Sequence, residues 1–380
     1  MTINEILQAA CGQSGSDVHL KVNNVPAVRV NGEIKLLSQF PRLTLGDIRT
    51  IADGMMGNLQ KAKFHERGEL DFAYAAGDLG RFRANVYQER GMTAMVLRII
   101  PATVRTLGEL HLPPVVAKFC EDRRGMLLVT GAAGMGKSTA LAAMIERINS
   151  TRAAHIITIE DPIEFYHSDK KGFVNQREVG SDTPSFEDAL RSALRQDPDV
   201  LMVGEMRDLD TMRTALNAAE TGHLVLSSLH TLEAQETVQR VIGVFPSAQQ
   251  TQARMQLAST LNGVVSLRLV RRADGRGRVP AVEVLVATDF IRECIINPDK
   301  TRLIREILAS GASQYGMQTF DQSLYDLYLR GLITLEEASI WASNAQELKM
   351  RAAGVRSTSE GVSEELERAT ASNLERFGAR

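Results

Sequence analysis

The sequence lacks most features that mark secreted, membrane-spanning or nucleic-acid-binding proteins. Its three cysteines, Cys11, Cys120 and Cys294, lie far apart and form no CxxC pair, which argues against a disulfide framework and a cysteine-rich zinc module. No apolar run approaches the roughly 18 residues of a membrane span, and the start of the chain lacks the pattern of a signal peptide. Lysine and arginine total 44 against 46 acidic residues, so the basic excess of a nucleic-acid binder is missing. We therefore expect a cytoplasmic protein with no integral membrane segment and no nucleic-acid partner.

What is present is the composition of a globular protein with several domains. The chain has 380 residues, of which 44% are hydrophobic and 24% are charged. At about 150 residues per domain, this length predicts two or three domains. Strand-like segments and a helix after Thr44 predict a small α+β domain over 1–100, and prolines mark a linker over 101–114.

A different pattern begins at Gly125, where short apolar strands alternate with helical segments, as in a parallel α/β sheet. The predicted strands are 126–131, 155–161, 199–205 and 223–230. The helices between them are predicted to begin near Lys137, Ser185 and Asp208. A hairpin over 266–287 and further helices follow, so we expect this domain to span 115–353. The polar segment 354–380 is predicted to be a flexible tail.

The segment GAAGMGKST, residues 131–139, carries the strongest chemical signal in the sequence. It fits the pattern GxxxxGK[ST] and lies between a predicted strand and a predicted helix, where backbone N–H groups bind phosphate. We expect Lys137 to contact the β- and γ-phosphates of a nucleotide and the Ser138 hydroxyl to ligate Mg²⁺. The predicted nucleotide-binding residues are Gly131, Ala132, Ala133, Gly134, Met135, Gly136, Lys137, Ser138 and Thr139.

Acidic residues follow two of the predicted strands, at the edge where a parallel sheet binds its ligands. Glu205 ends the third of these strands, and we expect it near Mg²⁺, where most P-loop proteins carry aspartate. Glu160, Asp161 and Glu164 lie at the C-terminal end of the second strand, and an acid there can polarise an attacking water. Spacing alone also fits a surface glutamate in the first case and a solvated acidic turn in the second.

Two histidines and a row of arginines are further candidates. His223 and His230 bracket the last predicted parallel strand, and they could contact phosphate or be ordinary strand-end histidines. Arg81 and Arg83 share one face of a predicted strand, with Arg98 on the next strand. Such a row is either a solvated surface or a face that contacts phosphates across a cleft or a subunit boundary.

Taken together and in this order, the motifs resemble those of the secretion and type IV pilus hexameric ATPases, and most of all the PilT-type retraction motors. The Walker A, Asp, Walker B and His boxes of that family correspond to 131–139, 157–165, 203–208 and 221–231. Further segments similar to the retraction branch are 175–180, 193–200 and 315–328. The segment 301–308 is similar to the C-terminal helix of that branch, although its first residues depart from the pattern.

The resemblance implies an α/β fold with a RecA-like P-loop core, an N-terminal PAS-like α+β domain and C-terminal helices. It also implies a homohexamer that hydrolyses ATP with Mg²⁺. By the same resemblance, Glu164 activates the attacking water, Glu205 is the Walker B acid at Mg²⁺, and His223 and His230 fall on the His-box positions. The arginine fingers of the family would come from Arg81, Arg83 and Arg98.

The function that the resemblance implies is type IV pilus retraction and twitching motility. The implied partners are the pilus platform protein at the inner membrane and a paralogous pilus ATPase. Two alternatives within the family stay open, namely a PilU-type accessory motor and a pilus assembly or type II secretion ATPase. A P-loop scaffold that binds nucleotide without turnover is a third hypothesis, against which the set Lys137, Glu164 and Glu205 argues.

Overall fold

A computed structural model describes residues 2–13, 15–30, 32–100 and 103–354. Three sequence predictions fall outside this part of the chain. They concern Asn31, where Asn31-Gly32 predicts a hairpin turn between two strand-like segments, Pro101 at the start of the linker, and all of the polar tail except Gly354.

The first sheet is antiparallel and is built from residues near the N-terminus. Its strands are β1 (Asp17–Leu20), β2 (Ala27–Val30), β3 (Glu33–Leu36), β4 (Glu69–Ala75), β5 (Arg81–Glu89) and β6 (Met92–Ile100), in the order β3-β2-β1-β6-β5-β4. The helices that share its core are α1 (Ile3–Gly12), α2 (Leu45–Met55) and α3 (Asn58–Arg67). On β5, alternate residues Phe82, Ala84 and Val86 are buried, so Arg81 and Arg83 lie on the opposite face as predicted.

The second sheet is mostly parallel, which confirms the predicted α/β core. Its strands are β7 (Gly125–Thr130), β8 (His155–Glu160), β9 (Phe173–Glu178), β10 (Val200–Val203), β11 (Leu224–Leu229), β12 (Leu261–Arg271) and β13 (Arg278–Val286). Their order is β13-β12-β7-β11-β10-β8-β9, with β13 antiparallel to β12 and the other pairs parallel. β7, β10 and β11 are buried along their whole length, as their continuous apolar sequence predicts.

Helices cover both faces of this second sheet. α4 (Pro114–Phe119) precedes the sheet, and the helices between its strands are α5 (Lys137–Thr151), α6 (Phe186–Ala193), α7 (Leu209–Glu220), α8 (Ala234–Gly243) and α9 (Gln250–Thr260). Neighbouring residues of β7 point to opposite sides, so Leu128 packs in the cluster with α6 to α9 while Leu127 packs in the cluster with α4 and α5. Ser185 and Asp208 cap α6 and α7 through the backbone N–H groups of Asp188 and Thr211, which confirms both predicted helix starts.

The C-terminal part is helical, as predicted. Its helices are α10 (Asp289–Ile296), α11 (Ile304–Ser310), α12 (Ala312–Tyr315), α13 (Phe320–Leu329), α14 (Leu335–Trp341) and α15 (Ala345–Ala352). Short 3₁₀ helices cover Gly77–Leu79, Ser247–Gln249 and Pro298–Leu303. The segment 301–308 therefore begins in a 3₁₀ helix and continues in α11. None of the helices in the described part of the chain combines the length and the apolar character needed to cross a bilayer.

The two sheets use residues on either side of the predicted linker, since the first sheet ends at Ile100 and the second begins at Gly125. Their hydrophobic cores are also built from separate sets of residues. The domain boundaries at 100, 114 and 353 stay a prediction, which these two features support.

A buried carboxyl group, Glu283, lies on β13 against the start of α8. Its Oε1 accepts a hydrogen bond of 2.7 Å from the backbone N–H of Ala234. Burial raises the pKa of Glu283 to about 7 against the opposing effect of that bond, with Glu233 raising it further and Arg268 and Arg305 lowering it. The folded protein thus binds the proton of the Glu283 carboxyl group more tightly than the unfolded chain does. This tighter binding stabilises the folded state at pH values below the pKa that Glu283 has in the unfolded chain. The stabilisation is lost as the pH rises toward 7.

We expect Glu283→Gln to raise the free energy of unfolding relative to wild type by up to about 3 kcal/mol at pH 8, with a smaller gain at pH 5. Glutamine keeps an acceptor for the Ala234 amide and carries no charge at either pH. Urea denaturation at both pH values measures the difference. Exposed Glu66 on α3 provides the control, because Glu66→Gln should change little. An equal effect of Glu283→Gln at both pH values would contradict the raised pKa.

Candidate nucleotide site

The loop between β7 and α5 is tightly wound because its glycines adopt left-handed backbone conformations. Gly131, Gly134 and Gly136 have φ angles of 145°, 75° and 88°. Residues that carry a Cβ atom rarely adopt such positive φ angles. A Cβ on Gly131 would lie 2.6 Å from the backbone oxygen of Leu267 on β12, so the loop packs directly against the neighbouring strand. The loop leads into the N-terminus of α5, the geometry that binds phosphate.

Lys137, the first residue of α5, holds its amine against this loop. Its Nζ donates to the backbone oxygens of Gly131 at 2.8 Å and Ala132 at 3.0 Å. The side chain is buried, and this burial lowers the pKa of Lys137, whereas the nearby Glu205 and Glu164 raise it. The ammonium is thus enclosed by the loop and flanked by two carboxylates.

A cavity of about 410 Å³ brings most of the predicted catalytic residues together at the carboxyl edge of the second sheet. Residues from the four boxes and from the first sheet share its wall. The predicted site residues in this wall are Arg83, Ala133, Gly134, Lys137, Ser138, Glu164, Glu205 and His230. These residues come from separate segments of the chain that extend from Arg83 to His230, so this convergence is a product of the fold.

Glu205 and His230 form one side of the cavity. Glu205 follows β10, and its Oε1 lies 2.8 Å from Nε of Arg207, with which it forms a salt bridge. His230 follows β11, and its Nε2 lies 3.6 Å from Oε2 of Glu205 while its Nδ1 lies 3.5 Å from Nζ of Lys137. His230 therefore bridges the acid of the Walker B box and the amine of the P-loop.

The three carboxylates of the Asp box have different surroundings. Glu160 at the end of β8 is buried, and its Oε1 accepts a hydrogen bond of 2.7 Å from the Thr158 hydroxyl. Burial raises the pKa of Glu160, although its hydrogen bonds oppose that shift. Asp161 and Glu164 are exposed and line the cavity. An exposed carboxylate at this place can accept a proton from water, whereas Glu160 serves to hold the loop that follows it.

The predicted arginines separate into different environments. Arg83 lines the cavity of its own chain, with Nε 3.5 Å from Oδ1 of Asp71. The guanidinium carbon of Arg81 lies 5.8 Å from the ring centre of Tyr166, next to the Asp box. Arg98 pairs with Asp17 through a 3.0 Å contact and is not among the residues that line the cavity. The structure therefore brings Arg83 to the P-loop and holds Arg98 elsewhere.

His223 also lies away from this cavity, so its predicted contact with nucleotide stays a prediction that the cavity does not support. It precedes the six residues of β11, whereas His230 follows them, so about 20 Å of strand separates the two rings. The ring Nδ1 of His223 lies 2.9 Å from the backbone oxygen of Ala218 instead. Parallel strands place their amino ends at the opposite edge of the sheet from the ligand, which explains the difference.

A second cavity, of about 650 Å³, lies on the other side of the P-loop, and sequence reasoning did not identify it. Its wall comes from the linker, the P-loop, α5 and the β12–β13 hairpin. Its apolar lining residues are Leu110, Leu112, Met135, Ala140, Leu267, Leu269 and Pro280. Charged residues, among them Arg105, Glu109 and Arg272, also line the wall, so the cavity offers both apolar and polar contacts beside the phosphate-binding loop. A cleft of this kind is a candidate site for the base of a nucleotide. The signal in the sequence is weak because each segment supplies only one to three of the apolar residues.

The comparisons with known proteins agree with this geometry. The model of the family "Type II/IV secretion system protein" matches residues 81–372. The chain is 43% identical over 338 residues to the type IV pilus retractation ATPase PilT of Pseudomonas aeruginosa, covering 89% of this chain and 97% of that protein. It is 40% identical over 350 residues to the type IV pilus ATPase PilU of the same organism, covering 92% and 91%.

A solved structure extends this similarity to the fold. The crystal structure of the pilus retraction motor PilT with bound ADP matches with a TM-score of 0.85 and 46% identity, covering 92% of this chain and 99% of that one. The resemblance predicted from the four boxes is thereby confirmed. The chain therefore belongs to the type II/IV secretion system protein family, and it is an ATPase.

Proposed function

We propose that this protein is a homohexameric motor that hydrolyses ATP to retract type IV pili and so drives twitching motility. One observation carries the proposal. A single cavity joins Lys137, Glu164, Glu205 and Arg83, which together supply the groups that ATP hydrolysis requires. The similarity to PilT over 89% of the chain supports the assignment to retraction.

In the proposed reaction, the P-loop backbone and the N-terminus of α5 bind the phosphates, and the second cavity beside them binds the adenine. Lys137 and Arg83 stabilise the negative charge that develops as the terminal phosphate is transferred. Glu164 accepts the proton of the attacking water. His230 lies between Glu205 and Lys137, so its ring connects these two charged groups.

The residues around the cavity also fit a magnesium ion. Mg²⁺ prefers oxygen ligands and is commonly bound by one or two protein groups together with substrate phosphates. The Ser138 hydroxyl and the Glu205 carboxylate supply such oxygens on one cavity wall and would hold the ion. When bound, Mg²⁺ neutralises phosphate charge.

The proposed setting is the cytoplasmic face of the inner membrane, where the ring would act on the platform protein of the pilus machine. A paralogous pilus ATPase is a proposed partner. An accessory role of the PilU type is the second candidate, favoured by the 40% identity to PilU over 92% of the chain.

Deletion of the gene tests the proposal. We expect hyperpiliated cells that do not twitch, because pili are assembled but not withdrawn. Complementation with the wild-type gene should restore motility, whereas a Lys137→Ala gene should not, as counted by surface pili and colony spreading. Bald cells would support an assembly motor, and hyperpiliation with retained twitching would support the accessory role.

A further inference from the structure

We infer that Gln176 is a positioning residue that holds the loop of Glu164 in its productive place. This inference rests on the proposed role of Glu164 in hydrolysis. Gln176 lies on β9, within the segment 175–180 that resembles the retraction motors and to which no role has yet been assigned.

The side-chain amide of Gln176 clamps the loop backbone just beyond Glu164. Its Oε1 accepts a hydrogen bond of 2.8 Å from the backbone N–H of His167. Its Nε2 donates to the backbone oxygen of Phe165 at 2.8 Å and to Oε1 of Glu160 at 3.1 Å. The oxygen of the glutamine amide can accept hydrogen bonds and its nitrogen carries two donor hydrogens, so these bonds use the oxygen and both hydrogens. One side chain thus fixes residues immediately after Glu164.

Other contacts fix the loop on the near side of Glu164. The backbone N–H of Ile163 donates to Oε2 of Glu178 at 3.1 Å, and that of Glu164 itself donates to Oε2 of Glu160 at 3.4 Å. Both acceptors belong to β8 and β9, the strands that also carry the Gln176 clamp. The backbone of Glu164 is therefore tied to the sheet from both directions.

The far end of the loop is tied to the helix that begins at Lys137. Nδ1 of the buried His167 lies 3.2 Å from Oε2 of Glu146 on α5. Asn149 on the same helix donates from Nδ2 to the backbone oxygen of Ser168 at 2.8 Å. The loop consequently spans from the edge strands to α5, and its position relative to the P-loop is set at both ends.

This arrangement predicts that Gln176 affects the rate of chemistry and leaves nucleotide affinity intact. A general base must lie within hydrogen-bond reach of the water it activates. A displacement of about 1 Å can cost roughly 100-fold in rate. The phosphate-binding groups lie on the P-loop and α5, none of which Gln176 contacts in its three described side-chain bonds.

We expect Gln176→Met to lower kcat for ATP roughly 10- to 100-fold, with KM changed less than about threefold. Methionine has a similar length and removes every donor and acceptor of the amide. The matched control is Asn175→Met, because Asn175 is the neighbouring residue of β9 and pairs instead with Nε2 of His155 at 2.9 Å. Asn175→Met should keep both kcat and KM.

A double variant separates positioning from general damage to the fold. In a Glu164→Gln background, Gln176→Met should add little further loss, because Gln176 acts through the carboxylate that is already gone. The inference would be overturned if the two substitutions lowered kcat multiplicatively in the double variant. It would also be overturned if Gln176→Met raised KM as kcat fell, or if it kept the wild-type kcat.

Hydrogen exchange gives a readout independent of turnover. Exchange of the amides over 163–167 should accelerate in Gln176→Met and stay unchanged in Asn175→Met. If Gln176→Met fails to fold, Gln176→Glu is the second variant, since it keeps the acceptor for the His167 amide but loses both donors. It should show the same split between kcat and KM, and an unchanged kcat would overturn the inference.

The controls also separate this inference from the proposed function. Absence of ATPase activity in the wild-type protein, or full activity in Glu164→Gln alone, would contradict the proposed reaction. If Gln176→Met had normal activity while Glu164→Gln were inactive, only the inferred positioning role of Gln176 would be overturned.

Discussion

Replacing Lys137 by alanine is expected to lower kcat for ATP hydrolysis by about 10³-fold or more, because the ammonium stabilises charge that develops on the transferred phosphate. The amine is already aimed at the loop, with 2.8 Å and 3.0 Å hydrogen bonds to Gly131 and Ala132. Phosphate release at saturating ATP and Mg²⁺ measures the loss. Lys349→Ala is the control, since Lys349 is an exposed residue of α15.

The alanine variant should remain folded, because removing Lys137 also removes the cost of burying its charge. Thermal unfolding checks this point. Turnover at the wild-type rate in a folded Lys137→Ala protein would contradict the P-loop assignment, whatever the effect on nucleotide affinity.

Glu164→Gln is expected to lower kcat by about 10²- to 10⁴-fold while nucleotide binding is retained, because the amide keeps the size of the side chain but cannot accept a proton from water. Fluorescent nucleotide titration and single-turnover hydrolysis measure the two quantities separately. Asp161→Asn supplies the sharpest comparison, since Asp161 is exposed on the same loop and lines the same cavity.

Asp161→Asn should lose less than about tenfold, since the family resemblance assigns the base to Glu164. The opposite ranking of the two variants would move the base to Asp161 and leave the P-loop assignment intact. A large fall in nucleotide affinity in Glu164→Gln would show instead that this carboxylate supports binding.

The parts of the fold that the sequence predicts are those with the strongest local patterns. β7, β8, β10 and β11 were each predicted to within two residues at either end, because buried parallel strands are continuous apolar runs. The structure brings Lys137, Ser138, Glu164, Glu205 and His230 together around one cavity, since parallel strands present their carboxyl ends at one edge, and their roles in catalysis stay a prediction.

The missed parts depend on contacts between distant segments. β9 reads FVNQRE, a polar edge strand whose sequence has no apolar run, and its pairing with β8 makes it a strand. α1 was not predicted because only three of its ten residues are buried. The second cavity and the Gln176 clamp likewise join residues from separate elements, which periodicity along one segment cannot reveal.

Arg83 on the first sheet has a mechanical consequence for the site on the second. The cavity wall includes this guanidinium, and the neighbouring Arg81 lies over Tyr166 in the loop that carries Glu164. A pulling force that separates the two sheets would draw Arg83 away from the cavity. The same force would displace the loop that carries Glu164. The rate of ATP hydrolysis would then fall as the mechanical load on the first sheet rises, so the protein would hydrolyse less ATP when a high load stops its movement.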